Sequence, residues 1–138
     1  MVEAATVRRL LETVEQRLSR LQRAAGTPLE RYLDDYDLQD IVERNFEVCV
    51  QACIDLGLHV LADLPRRLPE TYRGVFVALA RERLIPEELA SRLERMAGFR
   101  NVLVHGYSEL VGEQVHAALN KLDDVREFVA ALSGHLEA

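Results

Sequence analysis

Between Phe99 and Tyr107 the chain reads Phe99-Arg100-Asn101-Val102-Leu103-Val104-His105-Gly106-Tyr107. A guanidinium, a carboxamide, an imidazole and a phenol fall together there. That set suits metal-independent cleavage of RNA. A 2′-hydroxyl attacks the adjacent phosphorus, a base takes its proton, and an acid protonates the departing 5′ oxygen. Imidazole titrates nearest neutral pH and can serve as either acid or base, which makes His105 a candidate. Arg100 offers fixed donors for the negative charge that grows in the transition state. Asn101 can orient the imidazole or the phosphate. Tyr107 can hydrogen-bond substrate, and its hydroxyl can itself be modified. A plainer reading stands beside this one. A His at a helix C-terminus commonly pairs with the helix dipole, and a Tyr after a Gly commonly anchors a bundle.

Helical geometry separates the set. Arg100 and His105 are five apart and point about 140° from each other. Asn101 and His105 are four apart and share a face. A helix continued to Tyr107 would return that residue near the azimuth of Arg100, whereas Gly106 can unwind the last turn and re-aim both neighbours. One chain therefore does not obviously form one compact site. Two chains about a twofold axis can bring two copies into one cleft.

The elements that must hold this run read as helices. Residues 3–25 carry Val7, Leu11, Val14, Leu18, Leu21 and Ala25 in alternating steps of four and three, a narrow seam for a neighbouring helix or a second subunit. Gly26 is a candidate terminator. Thr27-Pro28-Leu29-Glu30 has the form of a capping box opening a short helix with Leu29, Tyr32 and Leu33. Asp34-Asp35-Tyr36-Asp37 interrupts that helix and offers a second cap. Residues 37–63 give the longest helix, about 40 Å, with Leu38, Ile41, Val42, Asn45, Cys49, Ala52, Cys53, Leu56, Val60 and Leu61 on one broad stripe. Asn45 on that stripe is a satisfied buried amide or a pocket residue. Pro65 and Pro69 bracket a loop that exposes Arg66 and Arg67. A helix over 70–83 turns Tyr72, Phe76, Leu79 and Ala80 inward. Pro86 opens the next, which has Glu87 and Glu88 in its first turn and carries the motif to about Gly106. In that helix Gly98 costs about 1 kcal/mol relative to Ala and permits a close approach. Residues 108–112 form a link. The final helix spans 113–135, with Val115, Leu119, Leu122, Val125, Val129 and Leu132 inward and with His116 and His135 at the surface.

These elements describe an all-α antiparallel bundle of four to five main helices plus a short one, in a single domain covering residues 1–138. The composition agrees, being 49% hydrophobic and only 6% aromatic. A chain of this length buries enough surface to fold without disulfides or metal. Cys49 and Cys53 share a helix face and read as buried thiols. With His59 they lack a fourth ligand and a finger-like spacing, so no metal site is expected. The three Asp of residues 34–37 are a weaker metal candidate. The uninterrupted apolar runs are short for a membrane span and no signal peptide is visible, so the expected location is the cytoplasm. The net charge of −6 argues against a wide nucleic-acid surface. The positive charge is nearly all Arg, sixteen against the single Lys121, and Arg pairs with phosphate in a way Lys does not. Any RNA role must then rest on a local pocket.

Arg100-x4-His105-x-Tyr107 resembles the motif of HEPN-domain proteins, and most closely that of their HepT-like toxin branch. The resemblance extends to Asp40-Ile41-Val42-Glu43-Arg44-Asn45, Asp55-Leu56-Gly57-Leu58-His59, Pro69-Glu70-Thr71-Tyr72 and Met96-Ala97-Gly98-Phe99, in order and spacing. It implies a homodimeric helical bundle whose motifs line a shared cleft. The implied activity is a toxin endoribonuclease acting on mRNA or tRNA. The implied partner is a minimal nucleotidyltransferase antitoxin that spends ATP to attach AMP to Tyr107, while this chain itself needs no cofactor. On that resemblance Arg100 and His105 are catalytic, Asn101 is supportive, and Tyr107, the candidate substrate contact named above, is the AMPylation site. The alternative is a non-catalytic HEPN subunit that binds a nucleotide or the transferase. A purely structural helical dimer is a third reading.

Overall fold

The computed structural model describes residues 4–105 and 110–136, together with their side chains except those of residues 104, 105 and 110. Every regular element among these residues is helical. They are α1 (Ala4–Ala24), α2 (Leu29–Asp34), α3 (Tyr36–Ala62), α4 (Tyr72–Arg81), α5 (Glu87–His105), α6 (Leu110–Ala118) and α7 (Asp123–Leu136), with a 3-10 turn over Leu119–Lys121.

The seam on α1 packs against α3, its main neighbour. Val7, Val14, Leu18 and Leu21 are buried, as the four-and-three spacing requires. α1 stops at Ala24, whose carbonyl accepts from Thr27 N–H at 3.0 Å. Gly26 does not adopt the left-handed conformation of a glycine cap. The expected Thr27 cap is also absent. The N-cap of α2 is Pro28, which makes no side-chain cap bond. Thr27 instead gives its carbonyl to His116. Asp35 does cap α3, accepting from Leu38 N–H at 3.0 Å.

α3 is the spine of the bundle. Phe46, Val50, Ile54 and Gly57 are buried alongside the expected stripe, so α3 is covered on more than one side, while Ile41 lies more than half exposed near its start. By length and composition α3 alone would pass as a membrane-crossing helix, and 61% of its most apolar stretch is buried inside the bundle. The Gly57 position shows how tightly α4 lies on it. A Cβ there would come within 2.7 Å of a Val75 methyl. Cys49 and Cys53 are free and buried, as the sequence suggests. A hydrogen bond between the two thiols, together with burial, pushes Cys53 well above its usual range.

The C-terminal segment departs from the expected single helix. α6 and α7 are separated by the 3-10 turn. Leu119, Leu122 and Val125 are all buried at spacings of three, which a three-residue turn keeps on one side. Phe128 and Leu132 then carry the α7 core, and Phe128 meets Phe76 of α4 edge-on at 5.6 Å. Arg92 ties α5 to α7 by donating to Asp124 at 2.9 Å and to Glu127 at 2.7 Å. His116 is not a free surface residue. Its Nε2 lies 2.6 Å from the Thr27 carbonyl, which can only accept, so the ring donates from Nε2. Its ring also tilts against Tyr32 at 5.6 Å, closing α6 onto α2.

Two residues past the end of α4 stands Arg83, the one described non-glycine residue with positive φ, at 59°. Leu84 N–H reaches the Leu79 carbonyl at 2.9 Å and Arg83 N–H reaches that of Ala80, the pattern of a left-handed helix stop. A short connection then returns the chain as α5, packed against α4. The motif is thereby carried on a helix whose neighbour presents its own N-terminal end to it.

Candidate functional site

α5 is described as far as His105; Gly106, near which the sequence placed its limit, lies outside the described residues. Tyr107 and the side chain of His105 lie outside the described residues. Arg100 and Asn101 are described, and they diverge. Asn101 is exposed, while Arg100 is partly buried. One residue step turns a helix by about 100°, so consecutive side chains leave on different faces.

The Arg100 guanidinium lies over the Tyr72 ring, 5.2 Å from its centroid. A cation above an aromatic face is attracted by the ring quadrupole. Tyr72 was expected in the core but is 40% exposed, and the ring carries Arg100 at the α4–α5 boundary. Arg100 also borders a groove of about 250 Å³ lined by Thr13 of α1 and by Glu47, Gln51 and Asp55 of α3. The two carboxylates are engaged elsewhere. Glu47 pairs with Arg44 at 3.4 Å, and Asp55 accepts from Gln51 at 3.0 Å. Among the described residues Arg100 makes no ion pair, and its buried Nε has no hydrogen-bond partner. Buried donors are ordinarily satisfied. A guanidinium held by a ring rather than by a carboxylate keeps its forked donors available to an anion.

Asn45 resolves to the plainer of its two readings. It is buried, accepts from Arg17 Nη1 at 3.2 Å, and donates to the Ile41 carbonyl at 2.7 Å. Tyr32 is fully buried, and burial, followed by Glu43 and Asp40, pushes its phenol far above the usual range. It is a core residue. No group of three His, Cys, Asp or Glu that could hold a metal ion occurs among the described residues, and the Asp of residues 34–37 form no such cluster.

The sequence reading missed Tyr72 as a support and Arg73 as a neighbour of the motif helix. Arg73 lies on Gly98 so closely that a Cβ there would stand 2.6 Å from its Nη2. The one available signal was Gly98, a glycine inside a helix two residues before Arg100.

The family description "ribonuclease HepT-like" matches residues 14–132. The chain belongs to the HepT-like ribonuclease family. Among HepT-like relatives, the mRNA nuclease HepT of Shewanella oneidensis is 32% identical over 120 residues, covering 86% of this chain and 90% of the relative. The tRNA nuclease HepT of Aphanizomenon flos-aquae is 29% identical over 119 residues, covering 86% and 81%. The solved structure of a tri-AMPylated Shewanella oneidensis HEPN toxin in complex with MNT antitoxin superposes with a TM-score of 0.85 at 28% identity, over 94% of this chain and 97% of that one. The HepT-like resemblance drawn from the motif and the all-helical architecture are both borne out.

Proposed function

We propose that this chain is the toxin ribonuclease of a HEPN–nucleotidyltransferase pair, a cytoplasmic single-domain protein that cleaves mRNA or tRNA without a metal ion. The observation that carries the reading is the Arg100-x4-His105-x-Tyr107 motif in a HepT-like chain whose Arg100 is left without a carboxylate partner among the described residues. His105 moves the proton of the 2′-hydroxyl or of the leaving 5′ oxygen. Arg100 holds the non-bridging phosphate oxygens as charge grows on them. Asn101 orients the imidazole or the phosphate, and Tyr107 contacts the substrate. The 2′ oxygen–phosphorus bond forms as the 5′ oxygen–phosphorus bond breaks, leaving a 2′,3′-cyclic phosphate and a 5′-hydroxyl.

Two copies complete the site in this reading. Arg100 turns toward α1 and α3, whereas Asn101 faces outward. Val102, on the outward side, is 43% exposed, and pairing about a twofold axis would cover it and confront the two motifs. A transferase partner using ATP attaches AMP to Tyr107. The added phosphate then competes for Arg100 and blocks RNA.

The test is cleavage of total RNA by purified protein, with the His105→Ala variant alongside. Loss of cleavage in a variant that keeps the wild-type oligomeric state supports the assignment; equal cleavage by the variant overturns it. Co-expression of that variant with the transferase, followed by peptide mass mapping, should place AMP on Tyr107. The net charge of −6 favours one other reading, a binding subunit that docks the transferase without cutting RNA. Stable transferase binding with no RNA cleavage would select it.

A further inference from the structure

Arg73 has two neighbours that together suggest a use. Its guanidinium lies on Gly98 of α5, so close that a Cβ there would meet it at 2.6 Å. Gly98 is three residues before Asn101 and seven before His105, spacings that put all three on one helix face. Arg73 also lines an open groove of about 560 Å³ between the 67–71 loop and α4. Arg67 and Arg81 line the same groove, with Val77 between Arg73 and Arg81 on the α4 surface. The single carboxylate there is Glu70, which Arg67 already holds at 2.9 Å. Arg73 and Arg81 are exposed and make no ion pair among the described residues. They stand eight residues apart, about 12 Å along the helix axis.

We propose that this groove is the track for the single-stranded RNA that enters the site, with Arg73 and Arg81 each binding one backbone phosphate on one side of the scissile bond. The proposal rests on the ribonuclease reading and deepens it. In an acidic protein, two guanidinium groups without an ion pair among the described residues, one of them lying on the motif helix, supply the local positive surface that phosphate binding requires. Gly98 has a defined task in this arrangement. It lets the Arg73 fork lie flat on α5, one turn before Asn101, so the phosphate it holds is in register with the reacting one. The groove has no stacked aromatic ladder, which fits backbone binding rather than base reading.

The experiment measures affinity of the His105→Ala protein for a uridine-rich oligoribonucleotide across a salt series, then repeats it with Arg73→Gln and Arg81→Gln added. The expected result is about tenfold weaker binding and a log–log salt slope smaller by about 1.4, the value for two lost phosphate contacts on a single strand. The same two substitutions should leave transferase binding unchanged. A Gly98→Ala variant, which displaces the Arg73 guanidinium without removing its charge, should weaken RNA binding less than the double variant. Unchanged affinity and slope, while the His105→Ala parent binds RNA well, overturn the track and leave the ribonuclease reading intact. Loss of transferase binding with RNA affinity unchanged also overturns it, and makes the groove a protein dock. If the parent binds no RNA and wild type cleaves none, the ribonuclease reading fails, and the track fails with it.

Discussion

The α1–α3 pair and the α4–α5 pair handle polar groups in opposite ways. Between α1 and α3 the one fully buried polar residue, Asn45, is bonded through both ends of its amide. Arg17, which supplies one of those bonds, keeps a buried Nε without a partner, so one donor stays unspent on this side. At the α4–α5 edge Tyr72 and Val102 are exposed, Arg100 rests on a ring, and Arg73 lies against a bare glycine. The first pair keeps its polar groups inside the packing. The second sets them at an exposed edge, as expected of a surface shaped for something that is not part of the chain.

Arg100→Ala should have the largest effect, lowering RNA cleavage at least about 100-fold while thermal melting shows a stability change within about 1 kcal/mol. A comparable loss of stability would move Arg100 to the structural side of the comparison. Leu56→Ala, deep in α3, should do the reverse. It should cost about 3 kcal/mol in urea unfolding, with specific activity per folded molecule nearly unchanged. Asn45→Ala strands Arg17 and should cost about 2 kcal/mol by the same measurement.

How far these regions were legible in sequence follows the same division. The α1 seam, the α3 spine and the Asp35 cap follow from periodicity and cap chemistry, which are local rules. Arg100 was legible through the motif. The stacking of Arg100 on Tyr72 was not, because it joins residues on two helices and Tyr72 looks like any core aromatic. His116 was read as a surface residue for the same reason: its partner, the Thr27 carbonyl, is far away in sequence. The break at 119–121 was hidden because apolar residues three apart fit an α-helix and a 3-10 turn equally well. Arg73 and Arg81 look like ordinary solvated arginines until Gly98 and the groove are placed beside them.

Two smaller effects complete the series. Arg83 holds a left-handed conformation that glycine adopts freely. Arg83→Gly should therefore raise stability by about 0.5–1 kcal/mol, the Cβ cost of that conformation less the added freedom of glycine in the unfolded chain, read as a higher urea midpoint, and leave the α4–α5 edge active. Glu43 gives the smallest. Burial, then Asp40, raises its carboxyl above the usual range. The fold favours the protonated acid, so the ionised form costs stability above the raised value, and that cost vanishes as pH falls through it. Glu43→Gln should thus be slightly more stable than wild type at neutral pH, with the difference closing below the ordinary carboxylate range. Melting curves across that interval would check both the sign and the closing.

The paired thiols of α3 supply a native clock for opening. Cys49 and Cys53 are shielded, and the raised proton affinity of Cys53 keeps its sulfur unreactive while the spine is closed. A thiol reagent can therefore count only those moments when α3 is uncovered. Because the chain has no other cysteine, labelling rates would report breathing of the spine with no foreign probe. Comparing the free chain with one bound to RNA or to a transferase would then show whether occupying the α4–α5 edge is felt at the centre of the bundle.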